Sequence, residues 1–269
     1  DAISIINEEI GETFVILIDE YDVLIRDSSV SEALRKEYIE FLNSIFKSND
    51  VQEAVSLAYL TGILPIYRET VQSKLNNFKE YTMLAPDQFA QHFGFTENEV
   101  KKICREKNMD FDMCKLMYDG YVYEKPRELV GQPNDNDEPV IHIFNPRSVI
   151  DAALSGKCRN YWVATSALEA ITLYIDANIA GIQDDIKALL KGEKEIEVNT
   201  LRYNNNVERF ATKDEIFTYL IHLGYLAYDP INQTCHIPIG EIRGAWLRII
   251  SKAKGCQPIP RMTERDSQL

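Results

Sequence analysis

Positive charge is scarce in this sequence: 29 lysines and arginines stand against 42 aspartates and glutamates, for a formal net charge of −13. Capture of nucleic acid or of an anionic bilayer needs a basic face, so broad electrostatic binding of either is excluded, and only a local basic groove is left open. Long apolar runs are missing too. None approaches the roughly 20 residues of a membrane helix, and the first residues do not form a charged-then-apolar signal, so a cytoplasmic protein is expected. Cysteine is sparse and scattered: Cys104, Cys114, Cys158, Cys235 and Cys256 are odd in number and lie ten or more residues apart, a spacing for neither a zinc knuckle nor a disulfide framework. His92, His142, His222 and His236 are equally dispersed, and His222, inside "YLIHLGYLAY", reads as a hydrogen-bonded core histidine. No structural metal is expected.

What is present is an ordinary globular composition, 45% hydrophobic over 269 residues, enough for one large core or two modest ones. "FVILI", Phe14–Ile18, is too short for a helix and too continuous for a half-exposed strand, so it predicts a parallel strand buried on both faces. In "SEALRKEYIEFLNSIFKSN", helical spacing puts Leu34, Tyr38, Phe41, Leu42, Ile45 and Phe46 near one face, with Ser31 as N-cap. "AVSLAYLTGI" supplies a second strand ending in Thr61 and Gly62, which makes a right-handed βαβ unit, and "YTMLA" is a candidate third strand. These elements define an α/β domain over residues 1–94.

From Phe95 the pattern turns helical. Thr96 and Glu99 match a capping box, with Val100, Ile103 and Cys104 facing inward. "EKPRELVGQPNDNDEPV" reads as a mobile hairpin or excursion, Asn145 and Pro146 start another helix, and Ser166 opens "ALEAITLYIDANIAG". A mostly helical region is therefore expected over 95–200. Over 201–257, a second capping box at Thr212 and Glu215 precedes "YLAYD" and "CHIPI", which flank the turn-rich "PINQT" in a winged-helix-like order. The polar tail, 258–269, is expected to fray.

The stretch carrying chemistry is "FVILIDEYD". In parallel α/β sheets, ligands bind beyond the carboxyl ends of the strands, where Asp19 and Glu20 would sit. In a P-loop ATPase the first such acid holds the magnesium shell and the second orients or polarises the attacking water. Asp22 could support the pair, and Thr61 would be placed to sense the terminal phosphate. The plainer alternative is that every buried strand surfaces somewhere, and acids are common where it does.

"LIDEYDV", "LTGILPI", "KLNNF", "FGFTENEV", "YDGY", "FNPRSV", "NYWVATS" and "LIHLGYLAYD" follow one another over residues 14–229. In these motifs and their order the chain resembles the AAA-ATPase-like family of bacterial and archaeal P-loop proteins, members of which often carry a PD-(D/E)XK nuclease-like domain after the ATPase. The resemblance implies a partial P-loop NTPase sheet holding the Walker B and sensor strands, a helical lid, a C-terminal winged-helix-like unit, and ATP with Mg2+ as cofactors. It implies Asp19 and Glu20 as the Walker B acids, Asp19 being the metal ligand, and Thr61 at the end of the sensor strand. Tyr118, Asp119, Gly120 and Tyr121 resemble the segment that follows the lid helices and turns toward the nucleotide base, although the tyrosines could equally be packing aromatics. Arg68 and Lys74 could reach phosphate or be solvated surface cations.

The family's Walker A loop would lie well upstream of "LIDEYD", and only residues 1–13 precede Phe14. Hydrolysis is therefore expected only when a phosphate loop is supplied, and this chain alone is expected to be inactive. "SGKC" at 155–158 lacks the first glycine at P-loop spacing. "PDQFAQHFGFTENEVK" spells a nuclease-like pattern, but Glu99 and Lys101 fall on a capped helix, two positions apart. A non-catalytic interaction module is the alternative function, and part of a nuclease-associated protein is the third. Partners are expected to be nucleotide plus a protein or further domains of the same polypeptide. Strong DNA binding is not expected, because "YDPINQTCHI" has Asp229 and no lysine or arginine, and the later Arg243, Arg248, Lys252 and Lys254 are diluted by Glu241.

Overall fold

The computed structural model describes residues 2–27, 29–47, 53–65, 77–127, 130–131, 139–162, 172, 174–203 and 210–253. It is mixed α/β, with small sheets and many helices. The described residues divide into two compact units, 2–80 and 81–253. Among the described residues, no helix is long and apolar enough to cross a membrane.

The first unit contains α1 (Ala2–Ile10), β1 (Phe14–Ile18), the short α2 (Val23–Arg26), α3 (Glu32–Lys47) and β2 (Val55–Leu60). β1 and β2 pair in parallel, from Val15 opposite Leu57 to Ile18 opposite Leu60, as the strand–helix–strand pattern predicts. Ser31 Oγ accepts the Leu34 N–H at 3.3 Å at the start of α3. This helix lays Ile39, Leu42 and Phe46 on Ile16, Ile18, Ala58 and Leu60. The expected stripe is shifted: Ile39 joins it, while Leu34 and Phe41 are exposed.

β1 is not buried on both faces. Val15 and Leu17 are 58% and 72% exposed, and Leu57 and Tyr59 beside them 54% and 53%. Among the described residues the sheet has two strands and α3 covers one face of it, so an apolar run that reads as doubly buried keeps its alternate residues uncovered there.

Among its described residues, the second unit holds two three-stranded antiparallel sheets. In the first, β3 (Phe95–Thr96), β5 (Val140–Phe144) and β4 (Asp119–Glu124) lie in that order, with Tyr121 opposite Ile143. Helical positions still outnumber strand positions among the described residues of 95–200, and this sheet is an addition that the sequence pattern did not place. "YVY" alternates on β4, with Tyr121 and Tyr123 buried and Val122 less so, the period of a strand packed on one face. "YTMLA" forms a turn closed between Thr82 and Ala85, not a strand, and leads into a 3-10 turn, Asp87–His92, packed against β3, β4 and β5.

Three helices surround this sheet: α4 (Glu97–Lys107), α5 (Phe111–Tyr118) and α6 (Pro146–Ser155). Their core joins Val100, Cys104, Cys114, Tyr118, Phe144, Val149 and Ala152. The predicted caps form: Thr96 and Glu99 close a capping box, and Asn145 accepts the Ser148 N–H ahead of Pro146. Because Glu99 serves as a cap and Lys101 pairs with Glu97, the nuclease-like spelling has no structural counterpart. Ser166, most of the excursion at 125–138 and the tail lie outside the described residues.

Farther along the chain lie α7 (Ile182–Lys191), β6 (Ile196–Glu197), α8 (Lys213–His222), β7 (Ala227–Asp229), β8 (Thr234–His236) and α9 (Gly240–Lys252). Thr212 and Glu215 close the second capping box, and α8 is buried from Glu215 to His222. β7 and β8 form the expected hairpin, extended by β6. Trp246 of α9 is fully buried and donates its indole N–H to the Tyr225 carbonyl at 3.0 Å.

His222 is a core histidine, its ring tilted against that of Tyr203 with the centroids 5.4 Å apart. Burial pushes its imidazole from the usual 6.5 down to about 4. The unfolded chain therefore binds the extra proton first. This contribution to stability is complete above pH 6.5 and is lost as pH falls toward 4. His236, lowered chiefly by burial, acts in the same direction, whereas Asp119 and Glu241, raised by burial, act in the opposite one. The expected result is a difference: between pH 7.5 and pH 5 the parent should lose about 2 kcal/mol more stability than His222→Phe. Urea unfolding followed by tryptophan fluorescence checks this, since both tryptophans, Trp162 and Trp246, belong to the second unit.

Candidate functional site

Because β1 and β2 run parallel, their carboxyl ends open side by side, and the residues beyond them are laced together. Thr61 N–H donates to the Ile18 carbonyl and Tyr21 N–H to the Thr61 carbonyl, both at 2.8 Å. The Thr61 hydroxyl donates to Asp19 Oδ1 and accepts the Glu20 N–H at 3.4 Å. Asp19, Glu20 and Thr61, singled out from sequence, thus meet at one place.

Glu20 turns the chain there. Its φ of 52° lies in the left-handed region, which costs a residue with a β-carbon about 1–2 kcal/mol and is held by the surrounding bonds. On one side of this turn Asp19 and Glu20 are exposed, the Glu20 carboxylate lying 3.5 Å from Arg26. On the other side Tyr21 and Asp22 are buried. Asp22 does not join the acid pair, as the sequence suggested it could. It faces inward, accepts the backbone N–H groups of Ile63 at 3.1 Å and Leu64 at 2.8 Å, and pairs with Arg26 at 2.8 Å. Tyr21 donates its hydroxyl to the Leu64 carbonyl at 2.9 Å, and burial pushes its phenol far above the usual range, so it stays a neutral donor.

Gly62 permits this closure. A β-carbon there would sit 2.7 Å from the Tyr21 ring and 2.8 Å from Asp22 Oδ1. Tyr21, Gly62 and the anchoring role of Asp22 were missed from sequence; the available signal was a glycine directly after the threonine that ends an apolar strand. Asp22→Ala should leave the Ile63 and Leu64 N–H groups without their acceptor and take from Arg26 the nearer of its two carboxylates, destabilising the first unit by about 3 kcal/mol. Hydrogen exchange of the β1 and β2 amides is expected to quicken on the order of 100-fold. Unchanged protection would refute the anchoring role.

Arg68 and Lys74 lie outside the described residues. Tyr118, Asp119 and Gly120 form their own cluster in the second unit, and its contacts are internal. The buried Tyr118 hydroxyl donates to the Arg159 carbonyl and accepts the Arg159 N–H, each at 2.9 Å. Asp119 lies 3.0 Å from His142 Nδ1, and Tyr121 donates its hydroxyl to the Gly224 carbonyl at 2.6 Å. A β-carbon on Gly120 would fall 2.1 Å from the Pro238 carbonyl oxygen.

Among the described residues, no three His, Cys, Asp or Glu side chains group as a metal site. The donors at the strand ends are the carboxylates of Asp19 and Glu20 and the Thr61 hydroxyl, all hard oxygens open to solvent. Such a set fits Mg2+, which takes one or two carboxylates and completes its shell with substrate phosphates and water.

Residues 1–72 match the family profile described as predicted AAA-ATPase, AAA-ATPase-like, a stretch containing both strands and the laced ends. Residues 1–72 are thus similar to the AAA-ATPase-like family. Within this AAA-ATPase-like segment lie Asp19, Glu20, Thr61 and Gly62, whereas Tyr118, Asp119 and Gly120 fall outside the match. The chain is also similar to an "Uncharacterized protein in vnfD 5'region" of Azotobacter chroococcum mcd 1, at 28% identity over 160 residues, or 58% of this chain. The match spans 27% of that relative's length. No solved structure matches the chain.

Proposed function

We propose that the first unit is the Walker B and sensor portion of an ATP-hydrolysing machine, with Asp19 holding the magnesium shell, Glu20 acting on the attacking water and Thr61 sensing the γ-phosphate. The observation that carries this reading is the joining of two parallel strand ends by the Thr61–Asp19 hydrogen bond, with both acids facing solvent. Magnesium-bound ATP supplies the phosphoryl group and the neutralisation of its charge. Thr61 orients the Asp19 carboxylate. Glu20, held off the strand direction by its left-handed turn, is exposed and ionisable, as a base toward water must be. The phosphate cradle would come from a Gly-x-x-x-x-Gly-Lys-Ser/Thr loop, a pattern these 269 residues do not contain.

The test is ATP turnover by the polypeptide that carries these residues together with its phosphate loop, in magnesium and in EDTA, beside Asp19→Asn. Magnesium-dependent turnover that disappears in Asp19→Asn is expected. Undiminished turnover in Asp19→Asn would remove the assignment and favour a non-catalytic module that keeps the ATPase shape.

The C-terminal helix-and-hairpin unit, winged-helix-like in order, would pass nucleotide state to a protein partner and not to DNA. Lys213 at the start of α8 is paired with Asp185 at 2.5 Å, and the hairpin carries Asp229 without a lysine or arginine. Titration with labelled duplex DNA at low salt should show no micromolar binding. Tight binding that weakens steeply with salt would reverse this reading.

A further inference from the structure

Three of the cysteines that look scattered in sequence converge in the second unit. Cys104 on α4 and Cys114 on α5 are buried in the core, and Cys158, in the segment after α6, packs against it from a partly exposed position. Cys114 Sγ and Cys158 Sγ are 3.0 Å apart, and the Cys104 thiol also contacts Cys114. A disulfide bond is about 2.05 Å long, so closure asks the two sulfurs to approach by about 1 Å.

The segment bearing Cys158 is held in place from both sides. The next residue, Arg159, exchanges two backbone hydrogen bonds with the Tyr118 hydroxyl at the end of the helix carrying Cys114. Farther on, the N–H groups of Tyr161 and Trp162 donate to the buried Glu241 carboxylate, which also accepts the Ser148 hydroxyl at 2.6 Å. The thiols are therefore held together by the fold and do not depend on a chance encounter. Their exposure differs, and so do their roles. Cys158 is a partly exposed residue, whereas Cys114 is fully enclosed and burial pushes its thiol up, which disfavours direct attack by Cys114 on an outside oxidant.

We propose that Cys114 and Cys158 are an oxidisable dithiol, a redox modification site at which Cys158 meets a hydroperoxide and Cys114 resolves it. In the first step the Cys158 sulfur attacks the distal peroxide oxygen. The O–O bond breaks, Cys158 becomes a sulfenic acid, and an alcohol, or water when the oxidant is hydrogen peroxide, leaves with the thiol proton. In the second step the Cys114 sulfur attacks the sulfenic sulfur, the S–O bond breaks, and water departs with the Cys114 proton as the disulfide forms. Each dithiol gives up two electrons to one peroxide. A thiol reductant returns both cysteines to the starting state by exchange. The product staples α5 to the segment running toward Glu241, so oxidation fixes the contact between α5, that segment and α9.

The experiment treats the intact protein with hydrogen peroxide, alkylates the remaining thiols with N-ethylmaleimide under denaturing conditions, and maps peptides without reduction. The expected result is loss of two alkylatable thiols, a linked peptide pair containing Cys114 and Cys158, and a Tm raised on the order of 5 °C that dithiothreitol reverses. Cys158→Ser, whose reduced melting temperature reports that it folds, should abolish both the link and the shift, while Cys235→Ser should retain both. Full alkylation of all cysteines after peroxide would overturn the proposal. So would a linked pair made through Cys104 or Cys256 in place of Cys158.

Discussion

Glu20→Gln, in the polypeptide carrying these residues with a phosphate loop, is expected to lower ATP turnover about 100-fold or more while magnesium–ATP affinity stays within about twofold. The reason lies in what Glu20 does and does not touch. Its carboxylate is mostly solvent-facing, its one described ion pair is a 3.5 Å contact with Arg26, and its own bond to the neighbouring strand end is made by its backbone N–H, which the substitution leaves intact. Gln also keeps the size of the side chain at a position with φ of 52°, so no new backbone strain is added. Loss of turnover with binding and melting temperature preserved is the signature of a group acting on water in the transition state. Unchanged turnover, or a fall that tracks a loss of folded protein, would show that Glu20 is not that group. Single-turnover kinetics alongside nucleotide titration distinguish these outcomes.

Gly120→Ala is expected to destabilise the second unit by about 3 kcal/mol or more, an overpacking cost at the upper end of what buried insertions produce. The added carbon would overlap the Pro238 carbonyl oxygen at 2.1 Å and its carbon at 2.5 Å, and these are backbone atoms that no rotamer change can move aside. Since φ at Gly120 is not among the positive values, space and not conformational freedom explains the glycine. A glycine placed to approach a nucleotide would behave in the opposite way, weakening ATP binding at unchanged stability. Urea unfolding monitored by tryptophan fluorescence, set beside nucleotide titration of the same variant, decides between a packing glycine and a ligand glycine.

Local chemistry was readable where one residue type has one common use. β1 and β2, the body of α3, the capping boxes at Thr96 and Thr212, and the Asn145–Pro146 helix start all follow from side chains acting within a few residues of themselves. Burial was less readable because it belongs to the neighbours. "FVILI" does not reveal that Val15 and Leu17 have no covering layer among the described residues. β4 and β5 hid for a related reason: each is short, and they pair across an intervening excursion, so the bounding helices dominated the pattern. At the site, Asp19 and Asp22 are chemically the same residue in the same short run. What sends one outward and the other inward is the left-handed turn at Glu20, a residue type that carries no turn signal.

The Thr61 hydroxyl has a single proton, and it is given to Asp19. An incoming phosphate oxygen could take that proton only by displacing the carboxylate. On the reading proposed above, the strand end would be a two-position contact: the Thr61 hydroxyl tethers Asp19 to β2 in the free state, and a ligand that took this hydrogen bond would release the acid toward a cation. Thr61→Ser preserves this exchange. Thr61→Val removes the hydroxyl that tethers Asp19, so on that reading the arrival of a ligand would no longer be registered there.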